Sequence, residues 1–167
     1  AVQRLLENRG CADKVAAELR LLTTDRFTIG SVVSLCQVLG DVGNAQHAAA
    51  ILPFIETIFP PIVRTAAFQA LANIAPADYG DLLIAAYAEQ NESSPRDACL
   101  NALSKSGSDT GLDFIAELVE QWIDQGETAL QSSWNALLLN NNPRLQQVLT
   151  KLQPRLSPFL ALQSFGV

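Results

Sequence analysis

The sequence predicts an all-α protein, a solenoid of about five stacked helical hairpins forming a single domain over residues 1–167. Three observations carry that prediction. Apolar residues recur three and four positions apart along the whole chain, and strict alternation never persists beyond a few residues, so the period is that of helices and not of strands. Glycine, proline and capping residues punctuate the chain at regular intervals. Four segments, Cys36-Gln37-Val38-Leu39, Phe68-Gln69-Ala70-Leu71, Leu100-Asn101-Ala102-Leu103 and Trp134-Asn135-Ala136-Leu137, follow one another at separations of 32, 32 and 34 residues. A hairpin of that size cannot hide its apolar stripe alone, so its neighbours must supply the missing surface.

In chain order, the punctuation gives a leading helix over 2–9 that ends at Gly10, then hairpins over 12–39, 45–75, 79–106, 111–139 and 143–163, the last one short. Thr24-Asp25, Gly40 to Gly43, Pro60-Pro61, Pro76, Ser93-Ser94-Pro95, Ser106 to Asp109, Gly126, Asn142-Pro143 and Ser157-Pro158 mark the breaks. In Ser94-Pro95, Asn142-Pro143 and Ser157-Pro158 a capping side chain precedes proline, the order expected at a helix start: the cap oxygen accepts an orphan N–H and proline has none to lose. Pro53 falls inside its helix, where it removes one hydrogen bond and should bend the rod. The short links at Gly40 to Gly43 and Pro60-Pro61 favour antiparallel neighbours.

The totals bound the function. Hydrophobic residues make up 49% of the chain and charged residues 17%, with a mean hydropathy of +0.16, so the chain folds around a core. A net charge of −6, a pI near 4.6 and 11 scattered basic residues argue against nucleic acid, whose phosphates need clustered Lys and Arg. Proline or asparagine interrupts each apolar run well before the roughly 20 residues of a bilayer span, so no membrane insertion is expected. Cys11, Cys36 and Cys99 are odd in number and fit neither a disulfide framework nor a zinc spacing; they read as small buried apolar residues of a reducing, cytoplasmic protein. The absence of methionine implies either a processed product or a piece of a longer chain.

Ile51-Leu52-Pro53-Phe54-Ile55, followed by Ile62-Val63-Arg64-Thr65-Ala66-Ala67-Phe68-Gln69-Ala70-Leu71, resembles a HEAT repeat, whose first helix often carries Leu-Pro-Leu and whose second opens with Val-Arg and runs through Ala to Ala-Leu. Pro95-Arg96-Asp97-Ala98 echoes the second helix, and Val38-Leu39-Gly40-Asp41-Val42-Gly43 is similar to the Leu-Gly-x-Ile-Gly-Asp turn of the bacterial lyase-like HEAT subtype. The resemblance covers roughly residues 12–152, is strongest in the second repeat, and in the fourth lacks the arginine. It implies a right-handed, armadillo-like α-solenoid whose first helices lie outside and whose second helices line the concave side. The function it implies is a protein–protein interaction scaffold, with a bilin lyase-like or chaperone subunit as the alternative. HEAT-like iron hydroxylases, which need several His-Glu pairs, do not fit a chain with one histidine, and HEAT-like DNA glycosylases do not fit its acidic balance.

At 100 degrees per residue, Val63, Ala67, Ala70, Leu71 and Ile74 share one side of their helix while Thr65, Gln69 and Ala72 face away. The repeat register then aligns Gln37, Gln69, Asn101 and Asn135 as a ladder of amides, with Val33, Thr65, Asp97 and Gln131 one turn earlier and Trp134 near the concave edge. The ladder either contacts a protein or peptide partner, since each amide offers two donors and an acceptor oxygen, or consists of ordinary solvated helix positions. Glu56, Glu89, Glu117, Glu120 and Asp124, with Glu92, either attract a basic partner or form a solvated outer face. Trp122, Trp134, Phe68, Tyr79 and Tyr87 read as core. His47 reads as an ordinary surface or helix-start residue without a second histidine to share a metal. No Gly-x-Ser-x-Gly motif or phosphate-cradling loop is present, so the expectation is a monomeric, non-catalytic chain without metal or cofactor.

Overall fold

Every regular element is helical among the residues that the computed structural model describes, which are 2–22, 28–74, 77–125, 137, 143–152 and 154. The α-helices are α1 (Val2–Leu21), α2 (Ile29–Val42), α3 (Ala48–Ile51), α4 (Pro61–Ile74), α5 (Gly80–Glu89), α6 (Ser93–Ser106), α7 (Asp109–Gln125) and α8 (Pro143–Leu152). Short 3₁₀ turns cover Ala45–His47, Leu52–Ile55 and Ala77–Tyr79. The hairpins expected at 111–139 and 143–163 lie partly outside the described residues, as do the breaks at Thr24-Asp25, Pro76, Gly126 and Ser157-Pro158.

Local chemistry accounts for several helix ends. Thr28 caps α2, its Oγ1 accepting the Ser31 N–H at 3.3 Å, and Asn44 Oδ1 accepts the Gln46 N–H at 3.1 Å. Proline opens both α4 and α8, where a missing N–H costs nothing. At the end of α6, Gly107 adopts φ 68°, the left-handed conformation that glycine enters without a Cβ penalty, and Ser108 Oγ then accepts the Gly111 N–H at 3.1 Å to begin α7.

Four boundaries depart from the sequence expectation. Gly10 does not end a helix: α1 runs through it, and its stripe of Ala12, Ala16 and Leu19 is buried, which offsets the roughly 1 kcal/mol that an internal glycine costs. Gly40 lies within α2 and the turn begins only at Gly43; a Cβ on Gly40 would sit 3.0 Å from Ala70 Cα, so the bare backbone lets α2 and α4 approach closely. Helix α6 starts at Ser93 with Glu92 in the cap position, which moves Pro95 into the third position and takes Ser94 out of a capping role. Pro53 does more than bend its rod, because α3 stops at Ile51 and the chain tightens into a 3₁₀ turn from Leu52.

The second helices pack in sequence order, α4 lying against both α2 and α6, while α1 meets α2 and α3, α5 meets α6 and α7, and α7 meets α8. A helix flanked on two sides buries most of its circumference: Val63, Arg64, Ala66, Ala67, Phe68, Ala70, Leu71, Ala72 and Ile74 of α4 are all buried. The expectation that Ala72 faces away is therefore wrong. Phe68, Tyr87 and Trp122 are core, Tyr79 is half-buried against it, and Trp134 lies outside the described residues. Tyr87 meets Phe114 edge-on at 5.5 Å, tying α5 to α7. Cys36 and Cys99 are buried as expected, and burial pushes the Cys36 thiol up to about 12 and that of Cys99 higher still. Cys11 is exposed instead, because it falls on the solvent side of the α1 stripe.

Candidate functional site

The packing of α4 on α6 brings several of the expected residues into one groove. Thr65 and Gln69 of α4 face Ser94, Asp97, Asn101 and Lys105 of α6 across a volume of about 470 Å³. A neighbouring groove of about 260 Å³ between α2 and α4 is lined by Gln37, Asp41, Gln69 and Asn73. Gln69 contributes to both, so Gln37, Gln69 and Asn101 share one wall as the repeat register requires. Thr65 Oγ1, buried on this wall, finds no hydrogen-bond partner among the described residues. Val33 departs from the pattern: it is half-buried and packs against the core. Gln131, Trp134 and Asn135 lie outside the described residues.

Sequence inspection missed Asp41, Asn73 and Lys105. Each follows its ladder amide by one helical turn, and the three repeat at the same 32-residue spacing, so carrying the face four positions further would have found them.

Arg64, known beforehand only through a family resemblance, is a buried residue whose side chain makes three hydrogen bonds. It is 3% exposed, and its guanidinium joins two hairpins: Nε donates to Phe59 O at 3.0 Å, Nη1 to Gln90 Oε1, and Nη2 to Glu92 Oε2 at 2.8 Å. Gln90, itself buried, passes the chain of bonds to Ala86 O at 3.0 Å. The planar fork matches three acceptors set in different directions, which an ammonium could not do. The Arg64 guanidinium also holds the Glu92 carboxyl below its ordinary value, mainly through this hydrogen bond.

A carboxyl with a lowered folded-state pKa adds stability above its unfolded pKa and loses that contribution as the pH falls through the folded value. Between about pH 5 and pH 3 the native chain should therefore lose stability more steeply than Glu92→Gln, as followed by urea midpoints at each pH. Because Glu92 is half exposed, added salt should narrow the difference. Parallel curves for the two proteins would remove the pair from the stability of the fold.

His47 closes a 3₁₀ turn and immediately precedes α3, a helix start as expected, but it is buried and not on the surface. Its Nδ1 accepts the Asn44 N–H at 3.1 Å, which leaves Nε2 to donate to Asp13 Oδ1 at 3.1 Å. This fixes the Nε2–H tautomer and pins the second hairpin to α1. Among the described residues no group of three or more His, Cys, Asp or Glu side chains could hold a metal ion, and no helix is long and apolar enough to cross a membrane. Glu56, Glu89, Glu92, Glu117, Glu120 and Asp124 are all exposed. No family model, curated protein or solved structure matches the chain, so the function has to be argued from the geometry of its own surface.

Proposed function

We propose that this chain is a HEAT-type α-solenoid acting as a non-catalytic scaffold, which holds a segment of a protein partner along the wall formed by its second helices α2, α4 and α6. The observation that carries this is the shared position of Gln69, which joins the Gln37–Asp41 groove to the Asp97–Asn101 groove into one polar track. Side-chain amides on such a track can pair with both the N–H and the C=O of a peptide backbone, and the buried Thr65 hydroxyl is one more group a ligand could satisfy. The presence of both Asp97 and Lys105 in the track suits a polar segment of mixed charge better than a polyanion.

The test is capture of a stoichiometric protein partner from an extract of the source cell, followed by titration against Gln69→Ala/Asn101→Ala. Gln69 is exposed and Asn101 partly so, so the variant should keep its fold and lose roughly tenfold in affinity. An unchanged affinity would remove the amide wall as the docking surface. A linear tetrapyrrole mixed with the chain should show no shifted absorption band; a shift would move the function toward a bilin lyase-like subunit.

A further inference from the structure

A third groove lies on the first helices and shares no residue with the amide wall. Leu52 and Pro53 on one side face Leu82 and Ala85 of α5 on the other, with Glu56 and Glu89 also lining the groove, around a volume of about 440 Å³. Its origin is local. Pro53 ends α3 after one turn and tightens the chain, so this hairpin presents a short first helix and leaves the Leu82, Ala85, Glu89 stripe of α5 uncovered. Leu82 remains 41% exposed as a result.

The two walls lie one residue off the 32-residue register, since Leu52 and Ala85, Pro53 and Ala86, and Glu56 and Glu89 are each 33 residues apart. Both glutamates come at the end of a helical segment, Glu56 directly after Ile55 and Glu89 as the last residue of α5. The groove is thus apolar with a strongly negative end, on a chain whose net charge is −6.

We infer that this groove docks a basic amphipathic helix of a partner protein, which seats apolar side chains one turn apart against Leu52 and Leu82 and sets a Lys or Arg one turn further on beside Glu56 and Glu89. The stripe from Leu82 to Glu89 spans two helical turns, about 10 Å, the length over which such a helix presents two anchors and one charge. An open trough with a large apolar residue nearly half exposed fits a helix laid along it, whereas a small molecule would need most of its surface enclosed.

The experiment titrates the full chain into a fluorescent synthetic amphipathic helix of about five turns with a Leu face and Lys at the adjoining positions, and into the same peptide with Glu for Lys. The Lys peptide should bind and weaken as salt is raised, and the Glu peptide should not bind. Glu56→Gln/Glu89→Gln, and separately Leu82→Ser, should each weaken the Lys peptide by roughly tenfold. Glu18→Gln/Asp113→Asn removes the same charge from exposed positions of α1 and α7 and should leave the affinity within roughly twofold. Equal loss in that control pair would reduce the effect to net charge and overturn the proposal. No binding, equal binding of the Glu peptide, or self-association abolished by Leu82→Ser would overturn it too, the last by seating a second copy in the groove. None of these outcomes touches the amide wall, which is scored separately with Gln69→Ala/Asn101→Ala.

Discussion

Phe68→Ala is expected to lower the unfolding free energy by about 3–5 kcal/mol, measured as a drop in the urea midpoint at constant slope. Phe68 is 0% exposed at the centre of α4, and α4 is held between α2 and α6. Removing the ring therefore opens a cavity whose walls belong to helices already packed on their other sides, so relaxation can refill little of it. For a chain of 167 residues such a loss corresponds to a fall in Tm on the order of 10 °C. Ile62→Ala in the same helix is the contrast: Ile62 is 59% exposed, so the change should stay within about 0.5 kcal/mol. A loss below about 1.5 kcal/mol at Phe68 would mean that the helices are not clamped and can close over the space.

Arg64→Met should cost about 2–4 kcal/mol, although methionine is apolar and of similar length. The loss comes from what is left behind: Gln90 Oε1 stays in a site only 2% exposed, and Phe59 O loses its donor. Exposed Glu92 simply returns to water. Arg64→Lys should recover only part of the loss, because one ammonium cannot reach three acceptors in three directions. Arg64→Met/Gln90→Leu should be more stable than Arg64→Met alone, since replacing both members of a buried pair leaves no orphan. Additive losses would show that Arg64 acts through its packing and not through these bonds.

Part of the candidate site was legible beforehand because its signal is periodic. Gln37, Gln69 and Asn101 could be aligned from the 32-residue register, and they do line adjoining grooves. The groove beside Leu82 could not be foreseen. Glu56 and Glu89 stood out only as two carboxylates among six, and their pairing across an apolar trough depends on how far Pro53 shortens the facing helix. His47 escaped for a related reason: its partner Asp13 lies 34 positions away, and no local pattern announces a histidine buried by a distant carboxylate.

Helix content, the break within Ser106 to Asp109 and the apolar face of α4 follow from the sequence alone, because they depend on residues within one or two turns of each other. Tertiary structure alone decided that α4 would be buried almost all round, Ala72 and Arg64 included, and that Gly40 would serve helix contact instead of a turn. Periodicity assigns each helix one hidden face, whereas the number of faces actually hidden is set by how many neighbours press on it, and those neighbours are thirty residues away in either direction.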